Sequence, residues 1–311
     1  MSNLTYFKAA LESGLVNFLE GTGIMGVEIT PCEVTKNNGL VKEGFSVKIP
    51  GRAVAPTFYF RDLYEMAAEA KETLGEAISY ALEFIESKVR ENPVSVLPDG
   101  DMDNVMVWEK VQGRIYIRLV NDDNPYLKDK IYLSKGNRLA EIFSVSLNAG
   151  ENIASIIVTP DLLNTWGVSL DELRETALKN TGSSSSVLPM SKILAEISPF
   201  PILLGSEEKD PMLVITNRHR MYGNGAILCP GVLQEVAEYF GTDDFVLIPS
   251  SVHEWLAVTS DMPLQAAADM VADVNAAQVP PEERMPEAVY TCNPATGQLV
   301  CAKSAGWRAS A

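Results

Sequence analysis

Histidine is almost missing from this chain: His219 and His253 are the only two in 311 residues. Proton transfer near neutral pH and zinc ligation both lean on that side chain, so either would have to be built around these two positions. They lie 34 positions apart, with no cysteine or acidic ligand spacing around them, and neither a metal site nor a cofactor is expected. Cysteine is scarce too. Cys32, Cys229, Cys292 and Cys301 are widely spread and form no CxxC pair, which argues against a disulfide scaffold and a structural zinc site. Reduced thiols in a cytoplasm are expected, although Cys292 and Cys301 flank a hairpin signal and could face each other. Positive charge is in deficit: 25 Lys and Arg against 41 Asp and Glu leave a net charge of −16. Nucleic-acid binding needs cations to neutralise phosphates, and an anionic membrane surface asks for the same, so neither is an expected partner. No apolar run approaches the roughly 20 residues of a membrane helix. The first residues carry one early Lys and no continuous apolar segment, so no signal peptide is expected.

What is present is a globular composition. Hydrophobic residues make up 46% of the chain, enough to bury a core without covalent staples. The length suits one large or two ordinary domains. Leu4, Phe7, Leu11, Leu15, Phe18 and Leu19 recur at three- and four-residue steps, one face of an amphipathic helix. Val27–Thr35 and Leu40–Ile49 read as a hairpin about Asn37-Asn38-Gly39, followed by a short strand in Pro56–Phe60 and helices over Asp62–Ala70 and Thr73–Arg90. Later, Val105–Val111 and Arg114–Val120 read as paired strands about Gly113. Leu139–Leu147 is an apolar run that periodicity leaves open between strand and helix. Ala154–Val158 reads as a strand, Asp161–Trp166 as a helical turn, and Ser169 with Glu172 has capping-box spacing ahead of a second helix. Gly182–Ser186 reads as a flexible surface loop. Met212–Thr216 and Gly225–Leu228 read as strands, and Pro230 opens a helix whose buried face runs from Val232 to Phe240. Two further strands, a last helix from Pro263 and a hairpin over Ala288–Cys301 complete the pattern. Hairpins alternate with helices without a βαβ series, which implies an α+β fold in two lobes, residues 1–97 and 98–311.

Two motif matches dissolve on inspection. Gly21, Gly23 and Gly26 spell GxGxxG, but a helix precedes them and a strand follows, the reverse of a dinucleotide site. The Asp cluster at Asp99, Asp101 and Asp103 lacks the Glu an EF-hand needs at its twelfth position, where Lys110 or Gln112 stands instead.

Several short stretches occur in one order along the chain: KNNG from Lys36, PTFYF from Pro56, LNTWGVSLDELRETALKNT from Leu163, CPGVLQEVAE from Cys229, IPSSVHEW from Ile248 and VNAAQVPPEE from Val274. In this order they resemble a bacterial group, domain-of-unknown-function family fifty-six eighty-eight, over almost all of residues 1–300. The WGVSLDEL segment is more distantly similar to the YtpQ-like proteins. The resemblance implies a bacterial, cytoplasmic protein, and it brings no activity and no site residues.

The residues that invite chemistry concentrate between Met212 and Val258. Cys229 precedes a helix, where the macrodipole favours a thiolate, and His253 follows on a later strand, the layout of a thiol hydrolase in which Glu254 or Asp244 orients the imidazole. Against this, a Cys after the apolar run GAIL is ordinarily a buried small residue. Ser250 or Ser251 could act beside His253, but no G-x-S-x-G elbow is present, and Ser251 and His253 on one strand sit about 6.5 Å apart in rise. Arg218, His219 and Arg220 form a cationic loop on an acidic chain, suited to carboxylate or phosphate, especially if His253 approaches it. The expected function is a binding or interaction module, with a protein or a small anionic ligand as partner. The alternative is a hydrolase using Cys229 and His253.

Overall fold

A computed structural model of the chain describes residues 2–52, 55–91, 102–147, 155–197, 209–259 and 263–304. The protein has an α+β fold, with three antiparallel sheets among the described residues, and it divides into two compact units, the first ending at Asp103 apart from a short later segment. The expected lobe boundary at Leu97, the Asp cluster apart from Asp103, and the first residue of the Ala154–Val158 strand lie outside the described residues. Among the described residues no helix is long and apolar enough to cross a membrane.

In the first unit α1 (Asn3–Gly21) starts where the Ser2 hydroxyl accepts the Thr5 N–H. It buries Phe7, Leu11, Leu15 and Leu19, the stripe its spacing dictates. β1 (Glu28–Thr35) and β2 (Val41–Lys48) pair in register about the Asn37–Gly39 turn, in which Asn38 adopts φ 60°. β3 (Thr57–Tyr59) closes the sheet on β2. The approach is close enough that a Cβ on Gly44 would lie 2.0 Å from the Phe58 carbonyl oxygen, so glycine is required there. α2 (Phe60–Ala70) and α3 (Leu74–Arg90) bury Leu63, Ala67, Ala81, Ile85 and Val89 against α1 and the sheet. Thr73 and Glu76 form a reciprocal capping box at the start of α3. The GxGxxG glycines end α1 and form the following turn, with Gly23 and Gly26 at positive φ.

The second unit carries the other two sheets. After a short helix α4 (Trp108–Val111), β4 (Ile115–Asn121) pairs with β6 (Leu139–Ser146), whose other edge takes β5 (Tyr132–Ser134) and β7 (Ser155–Ile157). The expected strand over Val105–Val111 is thus helical. Its apolar residues Val105, Trp108 and Val111 are spaced by three, a helical period, and Trp166 donates from Nε1 to the Val105 carbonyl at 2.9 Å. α5 (Pro160–Trp166) ends at Gly167 in the left-handed conformation, and α6 (Leu170–Ser184) begins with the Ser169 hydroxyl accepting the Glu172 N–H. The Ser-rich segment is not a loop: α6 runs through Ser184, and β8 (Ser185–Pro189) starts at the next residue. The hydroxyls of Ser183, Ser184 and Ser185 donate to carbonyls three residues back, which satisfies groups a helix end leaves open.

α7 (Met190–Ile197), β9 (Met212–Asn217), α8 (Val232–Phe240), β10 (Phe245–Ser251), β11 (Glu254–Thr259), α9 (Leu264–Ala277), β12 (Ala288–Asn293) and β13 (Gln298–Ser304) complete the unit. The six-stranded sheet has the order β13-β12-β10-β11-β9-β8. β10 is apolar on both faces because both are covered: Phe245 and Leu247 pack with α8, Val246 and Ile248 with α9. The expected strand at Gly225–Leu228 is a 3₁₀ segment, Asn224–Leu228, pressed against β4. A Cβ on Gly225 would lie 2.2 Å from the Ile117 carbonyl oxygen. Cys292 stands opposite Leu299, and Cys301 opposite Tyr290, so the two cysteines are not cross-strand partners. All four cysteines are free thiols.

Candidate functional site

β4 is the edge strand of its sheet, and side chains rather than a further strand satisfy its open backbone. The Thr181 hydroxyl accepts the Ile117 N–H, and the Asn224 amide both accepts from Leu119 N–H at 2.9 Å and donates to the Leu119 carbonyl at 2.8 Å. Asn180 donates to the Ile115 carbonyl at 3.0 Å. These contacts bind α6 and the 3₁₀ segment to β4 and set the end of α6 against Cys229: Cys229 Sγ would lie 3.7 Å from a Cβ on Gly182.

A cavity of about 510 Å³ opens beside this junction. Its polar wall is Lys135 from the β5–β6 turn, Arg174 from α6, Asn137, and the residues leading into α8, with the β12–β13 turn opposite. Gly136 and Arg138, both at positive φ, form the turn that presents Lys135. Behind the two cations lies Glu141 of β6, with no side-chain exposure. It accepts from Arg174 Nε at 2.6 Å and Nη2 at 2.9 Å, and from Lys135 Nζ at 3.0 Å. Burial alone would push the Glu141 carboxyl up, but the hydrogen bonds from Arg174 and Lys135 outweigh it and hold the group below the usual carboxylate range. The Arg174 guanidinium is held above its ordinary value by the same hydrogen bond. One carboxylate therefore fixes two cations, each about a third exposed and each retaining N–H donors that Glu141 does not use. Asn137 Nδ2 donates to the Leu299 carbonyl at 3.2 Å, while its Oδ1 is buried with no partner among the described residues. Gly231, at φ 85°, opens α8 with no side-chain cap.

Cys229 also lines the cavity, three residues before α8 begins at Val232. Its backbone N–H closes the 3₁₀ segment on the Ala226 carbonyl, and its Sγ lies 3.8 Å from the Leu178 carbonyl. Burial pushes the Cys229 thiol up to about 11, opposite to the lowering that a nucleophile requires. The ring nitrogens of His253 meet other groups. His253 Nδ1 accepts the Tyr222 N–H at 3.0 Å, and Nε2 lies 3.4 Å from Glu283. The Ser251 hydroxyl accepts the His253 backbone N–H at 3.1 Å, and Ser250 approaches Glu254 at 3.5 Å. Asp244 follows α8, its N–H donating to the Thr242 hydroxyl. The His253 backbone carbonyl accepts from Gly223 N–H and from the Thr216 hydroxyl, residues on either side of the cationic loop. The loop itself is organised by Asn217, which accepts from the N–H groups of His219 and Met221. Arg218 and His219 are exposed, Arg220 pairs with Glu196 at 2.5 Å, and none of the three lines the cavity.

Sequence reasoning passed over Lys135, Glu141 and Arg174. The signal was Glu141, a lone carboxylate inside the apolar run LAEIFSVSL, since a charge in a buried strand requires a partner.

Residues 4–293 match the model of DUF5688, a family of unknown function. No curated protein and no solved structure matches the chain.

Proposed function

The chain belongs to this family of unknown function, and we propose, from its geometry, that it is a binding module whose cavity takes a small molecule bearing a carboxylate or phosphate. The observation that carries this reading is the pair of cations, Lys135 and Arg174, held by one buried Glu141 at the wall of a 510 Å³ cavity. That size lies in the range of small-molecule sites. The pair brings a local excess of positive charge to a protein whose net charge is −16. Its donors are preorganised, so little side-chain freedom remains to be lost on binding. Leu139, Leu233 and Leu299 supply apolar contact. Calorimetric titration with phosphate, pyrophosphate, succinate and citrate tests it: saturable binding that weakens with salt and on Lys135→Ala supports the module, and the absence of binding by all four removes it.

The cationic loop supports an anion site less well, because Arg220 is engaged by Glu196. The hydrolase reading has weaker support still. The Cys229 thiol is pushed up by burial, and both ring nitrogens of His253 face other groups.

A further inference from the structure

Arg118 projects from β4 on the face opposite Ile115, Ile117 and Leu119, beside Val120 and the small apolar core of Leu127, Ala140 and Ile142. Its guanidinium carbon lies 3.8 Å from the centroid of the Tyr222 ring, and Nη2 donates to the Ser155 hydroxyl at 2.7 Å. No carboxylate pairs with it among the described residues. Burial pushes Arg118 down to about 10, opposed only by the phenols of Tyr222 and Tyr126. A recessed cation without a counter-ion among the described residues is costly, and charged groups so placed cluster at functional sites.

The surroundings hold the guanidinium in one pose. Tyr222 adopts φ 52° and donates its N–H to His253 Nδ1, and its ring lies 5.0 Å from the His253 ring. Thr216 and Gly223 fix the His253 carbonyl in turn. Tyr222 thus covers one face of Arg118, Ser155 takes one N–H, and the residue as a whole is half-buried. A guanidinium stacked on an aromatic plate, with N–H groups that Ser155 does not use, is suited to forked recognition of a carboxylate or phosphoryl group. None of these residues lines the Lys135–Arg174 cavity.

We infer that Arg118, with Ser155 beside it, is an oxyanion-binding site, distinct in its residues from the cavity and taking the carboxylate or phosphate of a small molecule edge-on. The test reads the site locally. The Arg118 Nε–H resonance of the full chain, assigned by its loss in Arg118→Met, is followed by NMR during separate titrations with inorganic phosphate and with succinate at low ionic strength. A saturable shift in either titration is expected, and the arm that saturates first distinguishes phosphate from carboxylate. Ser155→Ala should weaken the response several-fold. Arg118→Met, which removes a charge that no carboxylate pairs with among the described residues, should fold and melt no lower than the parent in phosphate-free buffer. A resonance unmoved by both anions, or a lowered melting temperature for Arg118→Met, would overturn the assignment in favour of a packing role.

Discussion

Arg174 holds Glu141 through two parallel hydrogen bonds, Nε to Oε2 at 2.6 Å and Nη2 to Oε1 at 2.9 Å, and the carboxylate they hold has no solvent exposure. The pair is a structural tie and part of the proposed binding site. It ties α6 to β6 in the interior, and it points a guanidinium edge and the Lys135 ammonium at the cavity.

Removing the carboxylate leaves two cations facing a buried site. Glu141→Ala should destabilise the protein by about 3 kcal/mol, the lower end for a broken buried pair, because Arg174 and Lys135 are each about a third exposed. The effect depends on pH with a definite sign. The folded-state pKa of Glu141 lies below its unfolded value, so its contribution is present above about pH 4.3 and fades as pH falls through the folded value. Urea unfolding at pH 7 and pH 3 should show the gap between parent and variant narrowing at the lower pH. A gap constant with pH would refute the assignment of that stability to the charge.

Asn224 makes the two bonds to Leu119 that a neighbouring strand would otherwise make. Asn224→Ala leaves a buried N–H and C=O without partners and should cost about 3 kcal/mol. Chemical denaturation measures this directly, and a loss below about 0.5 kcal/mol would mean that water replaces the amide.

Gly225→Ala places a methyl group 2.2 Å from the Ile117 carbonyl oxygen, a backbone atom with no rotamer to yield. A loss of about 3 kcal/mol is expected from overpacking. Gly75→Ala, where a Cβ meets nothing within 4 Å in the first turn of α3, should be neutral or stabilising by about 0.5 kcal/mol. Paired thermal melts that gave the two variants equal midpoints would contradict this.

Cys229 should be slow to react. With its thiol pushed up to about 11 and its side chain buried, iodoacetamide at pH 8 should leave Cys229 unmodified in the native protein and alkylate it after unfolding. Peptide mass spectrometry reads the outcome, and preferential labelling of native Cys229 would revive the thiol-nucleophile reading.

The first unit was legible in the sequence almost element by element, because its helices carry single stripes such as Phe7, Leu11 and Leu15 and its hairpin has a turn signal in Asn38-Gly39. The second unit was less so. Val105–Val111 and Gly225–Leu228 looked like strands because short apolar runs do not declare their period, and tertiary contacts with Trp166 and β4 decided them. Gly182–Ser186 looked mobile by composition, whereas its hydroxyls close a helix end. The cavity could not be read locally at all. Lys135, Glu141, Arg174 and the β12–β13 turn are brought together only by the fold, and each alone is an ordinary residue of its type.

Calorimetry on Arg118→Met protein, which removes the other proposed anion site, with pyrophosphate and citrate at low and moderate salt tests the cavity most directly. Saturable binding that falls about tenfold on Lys135→Ala, the weight of one charge-assisted hydrogen bond, is expected. Identical affinities with and without the Lys135 ammonium, or no binding of either anion, would contradict it.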